Sequence, residues 1–155
     1  MHTACLLLGS NIRPWVNLQR AVILLRRNSE VKAISSVWET QAVGSSGPNF
    51  LNAAVLITTH LEIHEFRLQV IACIETTLGR VRTQDKYADR TIDIDILIFD
   101  DILRDSNLWV HGFMALPTAE LLPSLINPET GKTLSETAAN IRQQIIAFHH
   151  PDIHL

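Results

Sequence analysis

The sequence predicts an α+β fold: a βαββαβ core of the ferredoxin-like kind with a C-terminal extension, in one domain over residues 1–155. Three observations carry this. The periodic segments run in the order strand, helix, strand, strand, helix, strand, which is the split βαβ pattern. The two middle strands are separated by the clearest loop in the chain, Gly44-Ser45-Ser46-Gly47-Pro48. The last strand of the core alternates aliphatic and acidic residues over Ile92-Asp93-Ile94-Asp95-Ile96, the period of a sheet with one buried face.

Each element follows from local pattern. Thr3 to Leu8 is a short apolar run stopped by Gly9-Ser10-Asn11, a buried strand and a turn. Pro14 suits the first turn of a helix, in which Leu18, Ala21, Val22 and Leu25 recur at helical spacing. Arg26 and Arg27 end it at the negative pole of its dipole. Val31 to Thr40 and Phe50 to Thr59 read as strands of one long hairpin. Leu61 to Leu78 reads as a helix with Ile63, Phe66, Val70, Ile74 and Leu78 on one face and Gly79 as its stop. Arg80 to Arg90 is a charged loop, and Thr91 to Phe99 is the core's final strand. Beyond Asp100 the chain is less regular, with Pro117, Pro123 and Pro128, and a last helix is expected from about Leu134 to Phe148. His149, His150 and His154 then read as a solvated tail.

Composition removes several function classes. The 13 basic and 16 acidic residues give a formal charge of −3, against the basic excess of a nucleic-acid binder. Aromatic residues are 6% of the chain, few for an RNA-stacking sheet. Cys5 and Cys73 sit in apolar stretches without a CxxC pair, which reads as two buried free thiols and excludes a metallochaperone of that type. His60 and His64 have zinc spacing but no evident third ligand, and read as surface histidines. The opening residues read as a strand and not a leader, and no apolar run approaches the ~20 residues that span a bilayer. The expectation is a cytoplasmic monomer with no membrane or nucleic-acid partner.

The chemistry gathers on the last core strand. Residues i and i+2 share a sheet face, so Asp93 and Asp95 lie on one side, with Cβ atoms roughly 6–7 Å apart, and Ile92, Ile94 and Ile96 on the other. Two such carboxylates repel unless a cation sits between them, and Mg²⁺ held by one or two carboxylates plus substrate phosphates fits the spacing. A solvated sheet face carrying two charges fits it as well. Arg80, Arg82, Lys86 and Arg90 feed the strand, and arginine's planar fork matches phosphate oxygens. Metal carboxylates beside phosphate arginines compose a phosphoryl-transfer site. It is not a P-loop: Gly131-Lys132-Thr133 would need a glycine at position 126, which is Ile126.

With these residues in place, Asp89-Arg90-Thr91-Ile92-Asp93-Ile94-Asp95-Ile96-Leu97 resembles the signature of the 6-hydroxymethyl-7,8-dihydropterin pyrophosphokinase family. Leu8-Gly9-Ser10-Asn11 resembles that family's opening turn. Ser35-Ser36 through Thr40, Gly44 and Phe50-Leu51-Asn52-Ala53-Ala54 resemble its pterin-side hairpin. Glu75 with Leu78-Gly79-Arg80-Val81-Arg82, and Gly112-Phe113-Met114 with Leu116-Pro117, follow in the family's order.

The resemblance implies a single pyrophosphokinase-like domain that transfers diphosphate from ATP to 6-hydroxymethyl-7,8-dihydropterin in folate biosynthesis. By it, Asp93 and Asp95 hold two Mg²⁺ ions, and Arg80 and Arg90 neutralise the transferring phosphates. Thr40, Val43 and Asn52 meet the pterin's polar edge, and Phe50 and Phe113 sandwich its ring. Glu75, Arg82 and His111 fall on the nucleotide side. Without the resemblance, Phe50 and Phe113 read as core packing.

One segment departs from the family. After the core's last strand the chain runs Leu108-Trp109-Val110-His111-Gly112-Phe113, a third loop several residues short, without the family's Pro before the His or Arg before the Phe. Two expectations follow: a working enzyme with an abbreviated loop, or a divergent member with weak or altered activity that binds nucleotide and pterin. The intact Asp93, Asp95, Arg80 and Arg90 favour the first.

Overall fold

The computed structural model describes residues 1–155. The apolar opening run is β1 (His2–Ser10), and α1 (Pro14–Asn28) follows with Pro14 in its first turn. The expected stripe is the buried one: Leu18, Ala21, Val22 and Leu25 are fully inside. The single strand expected over Val31 to Thr40 is two, β2 (Glu30–Ile34) and β3 (Val37–Thr40). The break is chemical. Ser35 donates its amide to Ala54 O at 2.9 Å, and its hydroxyl accepts the Ala54 amide at 2.9 Å, a side chain taking a place the backbone would hold.

Strand β4 (Phe50–Thr59) completes the hairpin. The helical run 63–77, here α2, is α-helical at Ile63–Glu65, π-helical at Phe66–Ile71 and α-helical again at Ala72–Thr77. Its buried residues Phe66, Val70, Ile74 and Leu78 step by four, wider than the α-helical turn of 3.6, and the π segment keeps them on one face. Strand β5 (Asp93–Phe99) turns through Asp100 and Asp101, both at positive φ, into β6 (Ile102–Leu103). A 3₁₀ turn (Ser106–Trp109) leads to α3 (Gly112–Leu121), and α4 (Leu134–Arg142) and β7 (Ala147–His150) close the chain.

The strands form one antiparallel sheet in the order β6-β5-β1-β4-β3-β7, with β2 also pairing β4. Helices cover both faces. On one, α1 and α2 pack on Leu6, Leu8, Val55, Ile57, Ile92, Ile94 and Ile96. On the other, α3 and α4 pack on Cys5, Leu7, Ala54, Leu97 and Leu108. A register shift between Cys5 and Leu6 against β5 inserts Leu97 as an extra residue, so the strand's outer half changes phase just past the aspartates. No helix is long and apolar enough to cross a membrane.

Four expectations are corrected. The last helix stops at Arg142, and Ala147–His150 is a strand. Its pairing with β3 is a tertiary contact that local pattern does not contain. His149 and His150 therefore belong to the sheet, and only His154 remains in the exposed tail. Helix α3 was not expected. It is a run buried on nearly every side that carries Pro117 inside it, so neither amphipathic spacing nor a clean start marked it. Cys5 is buried as expected, but Cys73 is exposed on α2.

Candidate active site

The sheet register builds the site. Gly9 of β1 lies between Asn52 of β4 and Asp93 of β5, and Leu7 lies between Ala54 and Asp95. Trp38 extends the first row beyond Asn52. These residues share the face of α3 and α4, at the end of the sheet those helices leave open. Gly9 leaves little room there: a Cβ would come within 3.3 Å of Asn52 Oδ1, so the amide would have to shift by a few tenths of an ångström. A cavity of about 400 Å³ opens above this floor, within the size range of small-molecule sites. Thr40, Val43, Phe50, Asn52, Arg90, Asp93, Asp95, His111 and Phe113 all line it.

The two aspartates differ sharply. Asp93 is saturated with positive charge: Arg80 Nη1 lies 2.9 Å from Oδ1, and Arg90 Nη1 contacts Oδ2. Arg90 also donates to Lys86 O, which fixes the charged loop over β5. Asp95 has no cation in contact. Burial, then the neighbouring charges of Asp93, Asp105 and Glu75, push its carboxyl up to about 6, and Arg80 offsets this only partly.

Behind the strand sits Glu75, a carboxylate with only 3% of its surface exposed. Its Oε1 accepts the Ile94 amide at 3.1 Å, between the two aspartates, and its Oε2 accepts from Arg82 Nη2 at 2.7 Å. Arg80 packs beside it with a nearly buried side chain and donates to Ile92 O at 2.8 Å. Its Nε is buried without an acceptor, 4.0 Å from Glu75 Oε2. Glu75, Arg80 and Arg82 thus hold β5 from behind and do not line the cavity.

The opposite wall is neutral. Asn52 is buried and donates from Nδ2 to Thr40 Oγ1 at 3.0 Å and to Trp38 O at 3.3 Å, which fixes its amide and presents Oδ1 toward Gly9. Phe50 and Phe113 are half-buried and line the cavity, Phe113 also packing against the second core cluster, and Val43 is exposed at its rim. His111 stacks on Phe113 with ring centroids 5.3 Å apart and 22° between planes. The abbreviated third loop is the tight β5–β6 turn and the 3₁₀ turn, with Leu108 buried beneath it. Arg104 is exposed and does not reach the cavity.

The two long loops meet through residues whose roles sequence reasoning did not assign. Asn11 donates from Nδ2 to Asp89 Oδ1 at 2.7 Å and to Pro48 O at 3.4 Å, and its Oδ1 accepts the Arg90 amide at 2.7 Å. The Tyr87 ring lies against Gly44, which sits at φ 75° with no room for a Cβ. Lys86, Tyr87, Gln41 and Asn107 also line the cavity. The glycine and asparagine of the opening turn were the available signal for Gly9 and Asn11; nothing local marks Asn107.

Comparison with known proteins agrees with this geometry. The model of the family described as 7,8-dihydro-6-hydroxymethylpterin-pyrophosphokinase matches residues 5–123. A 2-amino-4-hydroxy-6-hydroxymethyldihydropteridine pyrophosphokinase of Synechocystis is 33% identical over 144 residues, covering 86% of this chain and 73% of that protein. One of Aquifex aeolicus is 34% identical over 146 residues, covering 88% and 90%. A crystal structure of an HPPK-DHPS in complex with substrates shares the fold, with a TM-score of 0.70 over 92% of this chain at 13% identity. This chain spans 44% of that longer one. From a match over most of its length, and from relatives a third identical along 73% and 90% of their own chains, this protein belongs to the 7,8-dihydro-6-hydroxymethylpterin-pyrophosphokinase family.

Proposed function

We propose that this chain transfers the β,γ-diphosphate of ATP to the hydroxymethyl oxygen of 6-hydroxymethyl-7,8-dihydropterin, giving AMP and the pterin diphosphate for folate biosynthesis. The observation that carries this is one cavity in which Asp93, Asp95 and Arg90 face Asn52, Thr40, Phe50 and Phe113. A charged wall and a neutral aromatic wall meet where a polyanion and a flat heterocycle would have to touch.

The geometry supports the roles that the family resemblance implies. The pterin ring lies between Phe50 and Phe113, whose faces suit a flat π-system, with Val43 at its rim. Its edge takes the amide of Asn52, already oriented by Thr40. The phosphates lie along Arg90 and the Asp93–Asp95 edge, with His111 on the nucleotide side. Asp95 is a half-buried carboxylate among other carboxylates and lacks a cationic contact, so the site fits a divalent cation. Asp93 and Asp95 would hold two Mg²⁺, which supply charge neutralisation of the phosphates and acidification of the hydroxyl. In the transfer the hydroxymethyl oxygen bonds to Pβ, the bond from Pβ to the bridging oxygen of AMP breaks, and the hydroxyl proton is released. Arg90 stabilises the charge on the moving diphosphate. Arg80 acts on the phosphates through Asp93, which it holds in place, and Glu75 and Arg82 fix the strand beneath.

The same reading takes residues 1–155 as one pyrophosphokinase-like domain with a ferredoxin-like βαββαβ core and a C-terminal extension, monomeric and cytoplasmic. The sheet order β5-β1-β4-β3 with α1 and α2 on one face supports the core. The compact third loop, with Arg104 turned away, favours one second reading, a divergent member that binds both ligands without efficient transfer. One assay separates the two: purified protein with MgATP and the dihydropterin, products resolved by chromatography. Pterin-dependent AMP establishes the transfer. ADP means single-phosphate transfer, and binding of both ligands without turnover supports the second reading.

A further inference from the structure

Residues 124–155 lie outside the stretch the family model matches, yet they build α4 and β7. Strand β7 pairs with β3, placing Ala147 opposite Thr40, Phe148 opposite Glu39, His149 opposite Trp38 and His150 opposite Val37. Neighbouring residues of β7 point to opposite faces, so its two histidines have different targets.

His150 reaches the substrate hairpin from behind. Its Nε2 lies 3.0 Å from Glu39 Oε2, and Trp15 supports the imidazole edge-on at 5.5 Å between ring centroids. The other oxygen of Glu39 accepts from Asn49 Nδ2 at 2.9 Å. Asn49 immediately precedes Phe50, and Glu39 immediately precedes Thr40. One carboxylate therefore ties the two arms of the hairpin at the mouth of the cavity, and the C-terminal strand holds that carboxylate. Donation from Asn49 and from His150 keeps the Glu39 carboxyl below its usual range. His149, by contrast, stacks on Trp38 at 4.4 Å between centroids and pairs with Glu120 at 3.4 Å. It fastens β7 to β3 and α3 without touching the loop.

We infer that His150, acting through Glu39 and Asn49, is a positioning residue for the pterin wall, so that the C-terminal strand sets the affinity for the pterin. This rests on the pterin reading of the cavity given above. The mechanism is preorganisation: with Glu39 anchored, Phe50 and Thr40 are held in place before substrate arrives, and the cost of ordering them is not subtracted from binding.

The test is calorimetry of dihydropterin and ATP binding, with steady-state kinetics, on the full chain and on His150→Ala, Glu39→Ala, the double variant, His150→Gln and His149→Ala. Each of the first two should weaken pterin binding and raise its KM about three- to tenfold, with ATP affinity and kcat little changed. The double variant should lose no more than the larger single one, because both act through one contact. His150→Gln, which keeps a donor, should recover most of the loss. His149→Ala should lower the melting temperature and leave pterin affinity alone. Unchanged pterin affinity in His150→Ala overturns the inference, as does an equal loss in His149→Ala, which would show that the strand matters only as scaffolding. If the unaltered chain binds ATP and no pterin, the reading of the cavity itself fails and the inference falls with it.

Discussion

The two walls of the cavity are made by opposite means. The β5 wall carries the charges Lys86, Arg90, Asp93 and Asp95, and Asp93 is satisfied inside the protein by two arginines, while Glu75 behind the strand is satisfied by Arg82 and a backbone amide. Asp95 alone is left over, a carboxylate crowded by carboxylates. The facing wall carries no carboxylate, lysine or arginine, and its one buried amide, Asn52, is oriented by neutral neighbours and left with a free acceptor. Under the proposed reading, the wall for a metal and a polyanion keeps one charge unmatched, and the wall for a heterocycle keeps hydrogen-bonding capacity unmatched. The rest of each wall holds that single deficiency in place.

The comparison can be broken most severely at Asp95. Asp95→Ala should lower turnover by about a thousandfold or more with the fold retained, since it removes charge from the cavity and no core contact. Full activity in that variant, measured by AMP release, would remove the metal role. Next comes Arg90→Ala, for which a loss of about a hundredfold in kcat is expected with pterin affinity nearly constant. A pterin KM that rises with an unchanged kcat would move Arg90 to the other wall. Phe113→Ala should act the other way and more weakly. About a tenfold loss of pterin affinity, with ATP binding intact in calorimetry, is the expected outcome for one aromatic face. Unchanged pterin affinity would return Phe113 to the role of packing.

Much of this was legible in the residues because it depends on short periods. The alternation of Ile92, Asp93, Ile94, Asp95 and Ile96 reports its own two faces, and the structure buries the isoleucines and turns the aspartates to the cavity. The resemblance then placed Thr40, Val43, Phe50, Asn52, Arg90, His111 and Phe113, all of which line that cavity. Legibility stopped where distant segments decide. Ile145-Ile146-Ala147-Phe148 continues a helix as plausibly as it forms a strand, and only the free edge of β3 selects the strand. Glu75 and Arg80 stand in the family's order, but order does not show that both lie behind β5 and bond to its start. The clamp made by Asn11 joins residues 37 and 78 positions away.

The unmatched charge of Asp95 has a direct thermodynamic signature. A carboxyl whose pKa rises from 3.8 to about 6 on folding favours the folded state below its ordinary pKa, and that contribution is lost as pH climbs through about 6. That rise is worth roughly 3 kcal/mol at most. The decisive measurement is denaturant stability of the wild type and Asp95→Asn between pH 4 and 7.5, in EDTA and in excess Mg²⁺ with a non-hydrolysable ATP analogue. Without metal, Asp95→Asn should be the more stable protein at pH 7 by about 1–3 kcal/mol, with the difference shrinking toward pH 4, and it should lose the stabilisation that Mg²⁺ and nucleotide give the wild type. A variant less stable than wild type without metal, or equally stabilised by Mg²⁺ and nucleotide, would contradict a cavity wall built around one carboxylate kept free for a cation.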